Sequence, residues 1–296
     1  MKKFISGALD WWYPPACISC RALLSLSEPE RFVCEDCRNL FEPIASPYCL
    51  KCGAPILLEE AEEAPASFYP PDGFSGYACE GDSLLSAMNS NVESLRKISP
   101  EMQIISNAPS CNLCLNKYFQ FENNRAAFIY DEFLRELILG IKFGAKKRAA
   151  HGLGLVWADW IKKTEIKKYF SEISEEFILV PMPMHKKKQS ERGFNQAEIL
   201  TKPVADALKL PMSNLLIRMV DTPPQAGLHP IQRAENVKNV FSIAAGENVK
   251  GKNYILIDDI FTTGVSLNEC AKTLKASGAA KILCMTLTIT VKTVTN

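Results

Sequence analysis

The chain has 296 residues, with 34 Lys/Arg against 33 Asp/Glu and a hydrophobic fraction of 47%, which allows one large buried core or two medium ones. A net charge of +1 argues against a protein that grips nucleic acid by bulk charge. No apolar run approaches the roughly 18 residues of a spanning helix, and Asp10 cuts the short FISGAL stretch before any cleavage site, so we expect no membrane insertion and a cytoplasmic location.

Charge and cysteine are unevenly spread. Residues 1–114 carry 8 Lys/Arg against 15 Asp/Glu, residues 115–296 carry 26 against 18, and nine of the eleven cysteines precede residue 115. Two domains are expected, 1–122 and 123–296. Eight of the nine early cysteines form CxxC pairs: Cys17 and Cys20, Cys34 and Cys37, Cys49 and Cys52, Cys111 and Cys114. Such a pair aims two thiolates at one tetrahedral ion, so four pairs predict two structural Zn²⁺ sites. The alternatives are a disulfide framework, disfavoured in a reducing compartment, and a redox CxxC, which sits singly at a helix start.

Pairing in chain order gives one site from Cys17, Cys20, Cys34 and Cys37 and another from Cys49, Cys52, Cys111 and Cys114, although spacing leaves the order open. Gly53 suits the positive-φ turn of a knuckle. Residues 55–110 read as a largely flexible insertion, acidic at Glu59, Glu60, Glu62 and Glu63, with a short helix around Ser83 to Ile98. Cys79 there has no partner by spacing, and Cys270 and Cys284 read as buried packing. Because this half carries more acid than base, its ribbons read as structural or protein-contacting. Trp11, Trp12 and Tyr13 form either an exposed aromatic patch or a packing contact.

From Asn124 onward short apolar runs alternate with helical stretches. Strands are expected at Ala126–Tyr130, Phe177–Val180, Leu215–Val220, Asn239–Ile243, Tyr254–Asp258 and Lys281–Leu287. Helices are expected at Glu132–Phe143, Arg148–Lys163, Asn195–Leu208 and Val265–Ala276. That alternation predicts an α/β fold, a parallel sheet with helices on both faces and ligands at the carboxyl ends of the strands.

Three segments fall there. In YILIDDIFTTGVS, Asp258 and Asp259 end a strand, and Thr262, Thr263, Gly264, Val265 and Ser266 lead into a helix, where free N–H groups, the helix dipole and hydroxyls suit a phosphate. The acids suit a vicinal diol, or Mg²⁺ held through the ligand. In VPMPMHKKKQSERGFNQ, a loop concentrates His185, Lys186, Lys187, Lys188 and Arg192 beside that cradle, followed by Asn195 and Gln196; a solvated lysine run is the plainer alternative. DTPPQAGLHPIQRAENV reads as a lid carrying Arg233 and Asn236.

LIDDIFTTGVS resembles the phosphoribosyl pyrophosphate (PRPP) signature of type I phosphoribosyltransferases. The resemblance implies that Asp258 and Asp259 bind ribose hydroxyls and Thr262 to Ser266 the 5′-phosphate. It further implies that His185, Lys186, Lys188, Arg192 and Asn195 form the pyrophosphate loop, with Arg192 and Arg233 joining the two aspartates in catalysis. With the four CxxC pairs, AFIYDEFLRELILGIKF and the TPPQAGLHPIQRAENV segment, the whole is similar to the ComF/GntX family, a double zinc ribbon joined to a phosphoribosyltransferase-type domain, several members of which are tied to DNA uptake in natural competence. The lysine run, Gln189 and Ser190 depart from the more Arg- and Leu-rich loop usual in that family.

Two functions follow as expectations. One is a phosphoribosyltransferase passing phosphoribose to a nitrogen nucleophile with release of pyrophosphate; Thr262 stands where purine-type enzymes carry an Asp, so a purine lacks its obvious proton partner. The other is a non-catalytic PRPP- or nucleotide-sensing module of the DNA-uptake machinery. It would bind single-stranded DNA through Lys142, Lys146, Lys147, Arg148, Lys162, Lys163, Lys167 and Lys168, which read equally as a solvated helix face.

Overall fold

A computed structural model describes residues 16–24, 32–44, 48–49, 51–56, 111, 114, 117–144, 147–164, 166–167, 170, 176–222 and 238–291. The expected helix at 83–98, Trp11 to Tyr13, Cys79, Lys146, Lys168 and the segment holding Arg233 and Asn236 lie outside the described residues.

Four strands form one parallel sheet: β1 (Asn124–Ile129), β2 (Phe177–Pro181), β5 (Asn253–Phe261) and β6 (Lys281–Ile289), in the order β1-β6-β5-β2. The central strands read as near-continuous apolar runs because both faces are covered. Leu179, Ile255, Ile257, Leu283 and Met285 enter one buried cluster, and Val180, Tyr254, Leu256, Ile282 and Cys284 enter the other. The first face receives helices α2 (Glu132–Gly144), α3 (Lys147–Lys163) and α5 (Gln196–Leu208); the second receives α6 (Val265–Ala276). Leu134, Leu137, Ile138 and Ile141 make the buried stripe of α2, at the spacing of a helix that faces a core.

Two strands depart from the expected alternation. The short β3 (Leu216–Arg218) and β4 (Phe241–Ile243) pair with each other, antiparallel, outside the main sheet. Ahead of β3, Leu179 N donates to Pro211 O and Ser213 N donates to Leu179 O (2.8 and 2.9 Å), so residues 211–213 close the β2 edge.

The other edge, β1, is closed by the cysteine-rich part. Ile44 N donates to Ala127 O at 3.0 Å and Ile129 N to Glu42 O at 3.0 Å. The Cys17/Cys37 ribbon, which carries the short helix α1 (Glu35–Arg38), joins the core on the α3 face, while Cys49, Cys52, Cys111 and Cys114 join the core on the α6 face. Gly53, at φ +80°, brings its knuckle so near β1 that a Cβ would lie 2.7 Å from Asn124 O, as a φ > 0 turn there requires. Arg125 clips the seam: its guanidinium lies 3.8 Å from the Tyr48 ring centroid and 5.3 Å from that of Trp160, and its NH2 group donates to Ile44 O at 2.9 Å. No described helix is long and apolar enough to cross a membrane.

Candidate functional site: an acid pair where β2 stops, and two cysteine clusters

β2 ends at Pro181, opposite Ile257 of β5, while β5 continues beside β6 to Phe261. Asp258 and Asp259 thus stand inside a paired strand rather than at its terminus, at the point where the neighbour on one side has stopped. Consecutive strand residues leave the sheet on opposite faces, and the two acids have different surroundings. Asp259, 7% exposed, lies 2.8 Å from Lys142 Nζ of α2 and accepts from Gln196 Nε2 of α5 at 3.4 Å. Asp258 stays partly accessible and its Oδ1 accepts from Asp259 N at 2.9 Å. Burial first, and the charge of Asp259 second, push the Asp258 carboxyl up to about 8, with Lys142 pulling the other way. For Lys142 burial works downward, but Asp259, joined by Asp258 and Tyr130, offsets it and the net shift is upward.

Beyond Phe261 the chain turns through Thr262, Thr263 and Gly264 into α6. Gly264, at φ +74°, is the N-cap and brings no side-chain hydrogen bond to the first turn. A Cβ there would lie 2.6 Å from Phe261 Cζ and 3.0 Å from Phe119 Cε1. Phe119 and Phe121 stack at 4.6 Å and both meet Phe261 edge-on, so aromatic rings wall the turn from behind. Thr262 is exposed; Thr263, Val265 and Ser266 are half-buried. Gln120 N donates to Asn268 Oδ1 at 2.6 Å, which ties the segment following Cys114 to the first turn of α6.

The basic segment expected as a loop is a short helix, α4 (Lys186–Arg192), N-capped by His185 and closed by Gly193. Its basic residues diverge. Arg192 NH1 donates to Gln196 Oε1 and so flanks Asp259. His185, Lys187 and Lys188 instead surround Asp221, at 3.9, 3.8 and 3.4 Å. Burial works against ionisation there, yet Lys188, His185 and Lys187 hold the Asp221 carboxyl below its usual range. Lys188 Nζ also donates to Thr222 O at 2.6 Å. Lys186 is exposed. Asn195, expected among the phosphate contacts, caps α5 instead: its Oδ1 accepts from Ala197 N at 3.1 Å and its Nδ2 donates to Met182 O at 3.0 Å. A buried amide so engaged fixes the start of α5 and with it the position of Gln196.

Sequence reading set Lys142 either in a single-stranded-DNA-binding cluster or on a solvated helix face, and missed its place beside Asp259. One signal was present: Lys142 directly follows Ile141 and lies four residues after Ile138, on the flank of the buried stripe.

The eight CxxC cysteines gather into two groups, Cys17/Cys20/Cys34/Cys37 and Cys49/Cys52/Cys111/Cys114, with the sulfurs of each group within 4.8 Å of one another. The Sγ separations Cys20–Cys34 and Cys52–Cys111 are both 3.6 Å, close to the ~3.8 Å edge of a tetrahedron with Zn–S bonds of about 2.3 Å. In the first group Cys34 N and Cys37 N point at Cys17 Sγ and Cys34 Sγ. Burial, then Cys34, pushes the Cys37 thiol up to about 12; four thiolates so close need a dication, which the Cys₄ donor set suits. The second group is wholly buried, whereas Cys20 of the first is exposed. Pairing in chain order therefore holds.

Residues 8–68 match the double zinc ribbon domain, and residues 195–291 the phosphoribosyl transferase domain. The chain thus joins a double zinc ribbon match to a phosphoribosyl transferase domain match, and it is similar to curated competence and DNA-utilization proteins. The Competence protein F of Haemophilus influenzae is 36% identical over 35% of this chain and 46% of its own length. Competence protein ComFC of Bacillus subtilis is 29% identical over 53% of this chain and 60% of its own. The DNA utilization protein YhgH of Salmonella typhi is 26% identical over 64% of this chain and 85% of its own. The matched stretch thus spans between about half and three-fifths of the first two relatives. The ribbon match stops before Cys111 and Cys114, and the fold returns these two across the intervening chain to complete the second cluster.

Proposed function

We propose that the turn from Asp258 to Ser266 binds PRPP with Mg²⁺, and that the protein is a ComF-type component of DNA uptake that transfers phosphoribose to a nitrogen nucleophile with release of pyrophosphate. The observation that carries this reading is the acid pair standing where β2 stops, followed within a few residues by a helix start without a side-chain cap. Asp258 and Asp259 hold the ribose hydroxyls; Thr262, Thr263, Gly264, Val265 and Ser266 receive the 5′-phosphate on N–H groups and hydroxyls. Arg192 faces the pyrophosphate, and His185, Lys186 and Lys188 raise the positive potential on its side; Arg233, expected to join them in catalysis, lies outside the described residues.

The acid pair also fits a divalent ion bound with the donor: burial, then the charge of Asp259, holds Asp258 up at about 8, and a cation relieves both. When bound, Mg²⁺ supplies charge that neutralises the departing pyrophosphate. In this reading residues 1–122 form the zinc-stapled structural part and residues 123–296 the part that carries chemistry, in the cytoplasm. The competence and DNA-utilization roles named for the relatives support the biological assignment.

A second reading, a non-catalytic sensor that holds single-stranded DNA, draws on the exposed Lys147, Arg148, Lys162 and Lys163 at the two ends of α3. The two differ in salt dependence, since phosphate-backbone binding weakens steeply with ionic strength. Calorimetry of the full chain with PRPP and Mg²⁺ tests the first. Binding is expected in the wild type and lost in Asp259→Ala with an unchanged circular dichroism spectrum; equal affinity in both would overturn the site. Pyrophosphate release with a panel of nucleobases and amines, with and without single-stranded DNA, then separates enzyme from sensor.

A further inference from the structure

The sheet side of the acid pair that faces α2 and α5 carries more positive charge than one carboxylate needs. Asp259 has Lys142 at 2.8 Å and, through Gln196, the guanidinium of Arg192. Lys142 stands at the end of the stripe that buries α2, so its stem packs inward and its side chain is only 24% exposed. An ammonium has three N–H donors; among the described residues, its contact is the single one to Asp259 Oδ2. No described protein group takes the remaining donors, so this half-buried lysine, beside a carboxylate that another ligand is to occupy, is placed to reach a second acceptor. The charge is retained despite burial because Asp259 favours it.

We propose that Lys142 is a donor-binding residue: when the phosphoribosyl donor enters, its ammonium turns from Asp259 to a non-bridging oxygen of the donor's diphosphate, and Asp259 is released to the ribose hydroxyl. This rests on the PRPP reading of the site and adds to it the residue that discriminates a diphosphorylated sugar from a plain sugar phosphate. Before the donor arrives, Lys142 holds Asp259 in place as a substitute cation. A ligand with the ribose and 5′-phosphate but no diphosphate breaks the ion pair without giving the ammonium a new partner.

The test compares PRPP with ribose 5-phosphate, each with Mg²⁺, by calorimetry on the full-length wild type, Lys142→Met, Lys142→Gln and Lys142→Arg, with thermal melts for integrity. A charge-assisted hydrogen bond lost from a shielded site weakens binding by about 10- to 100-fold. Lys142→Met is expected to lose that factor for PRPP and less than about 3-fold for ribose 5-phosphate, and Lys142→Arg to recover most of the PRPP affinity. Equal losses for both ligands would reduce Lys142 to an organiser of Asp259, and unchanged PRPP affinity would remove it from the site; either result overturns the proposal. If Lys142→Met does not fold, the same ratio is read from Lys142→Gln, which keeps polarity and most of the length. A wild type that binds neither ligand sinks the PRPP reading itself, whereas in a wild type that binds both, a change in the ratio of the two affinities reports on Lys142 alone.

Discussion

Gly264→Ala is the sharpest probe of how the turn ahead of α6 is built. Two costs arise and can be separated. The first is the positive φ of +74°, which costs a residue with a Cβ about 1 kcal/mol. The second is space: the added carbon would lie 2.6 Å from Phe261 Cζ and 3.0 Å from Phe119 Cε1. Those rings belong to a packed aromatic trio, not to flexible chain ends, and forced entry of one carbon into packed surroundings costs about 1–3 kcal/mol. Gly246 provides the control, with φ +85° and nothing within 4 Å of its added Cβ. Gly246→Ala is therefore expected to cost only the first ~1 kcal/mol and Gly264→Ala about 2–4 kcal/mol. At roughly 2–4 °C per kcal/mol for a chain of this class, thermal melts followed by circular dichroism should separate the two variants. Ribose 5-phosphate binding should weaken in Gly264→Ala and be unaffected in Gly246→Ala. If the two variants melt together, the rings yield freely and close packing of the turn does not require Gly264.

Metal analysis of protein purified without chelator should return about two zinc ions per chain, one per cysteine cluster. Cys111→Ser, in the wholly buried cluster, is expected to lower thermal stability more than Cys20→Ser, whose side chain is exposed; the reverse order in melts would contradict the deeper seating of the second cluster. Asp258 gives a pH dependence with a definite sign. Its folded value of about 8 lies above the ordinary 3.8, so the folded chain holds that proton more tightly than the unfolded one. Its contribution to stability is complete below about pH 4 and is lost as pH rises through about 8. Denaturant melts without divalent ions should thus show wild type losing stability relative to Asp258→Asn between pH 5 and 9, by on the order of a kcal/mol or more; parallel profiles would refute the upward shift of this acid.

Much of this protein was legible before any coordinates. Four CxxC pairs announce two Cys₄ clusters because tetrahedral zinc chemistry needs two pairs per ion, and chain order turned out to be the spatial order. The runs at 177–180, 254–258 and 281–287 announce strands because β-branched residues buried on both faces leave no polar alternation. DD followed by TTG marks a strand passing into a helix start, since the turn needs Gly264 and the first helical N–H groups need partners. These are local facts, carried by neighbours in sequence.

What tertiary structure alone decided are the meetings of distant residues. The separation of β3 and β4 from the main sheet depends on a register between residues 216 and 243. The partition of the basic segment, Arg192 toward Asp259 and Lys187 and Lys188 toward Asp221, follows from its coiling into a helix. The Lys142–Asp259 pair joins residues 117 positions apart in sequence. A lysine near a helix end reads as solvated from its own neighbourhood; only the fold brings the end of α2 to Asp259 of β5, half-shielding the ammonium and giving it the carboxylate as its partner.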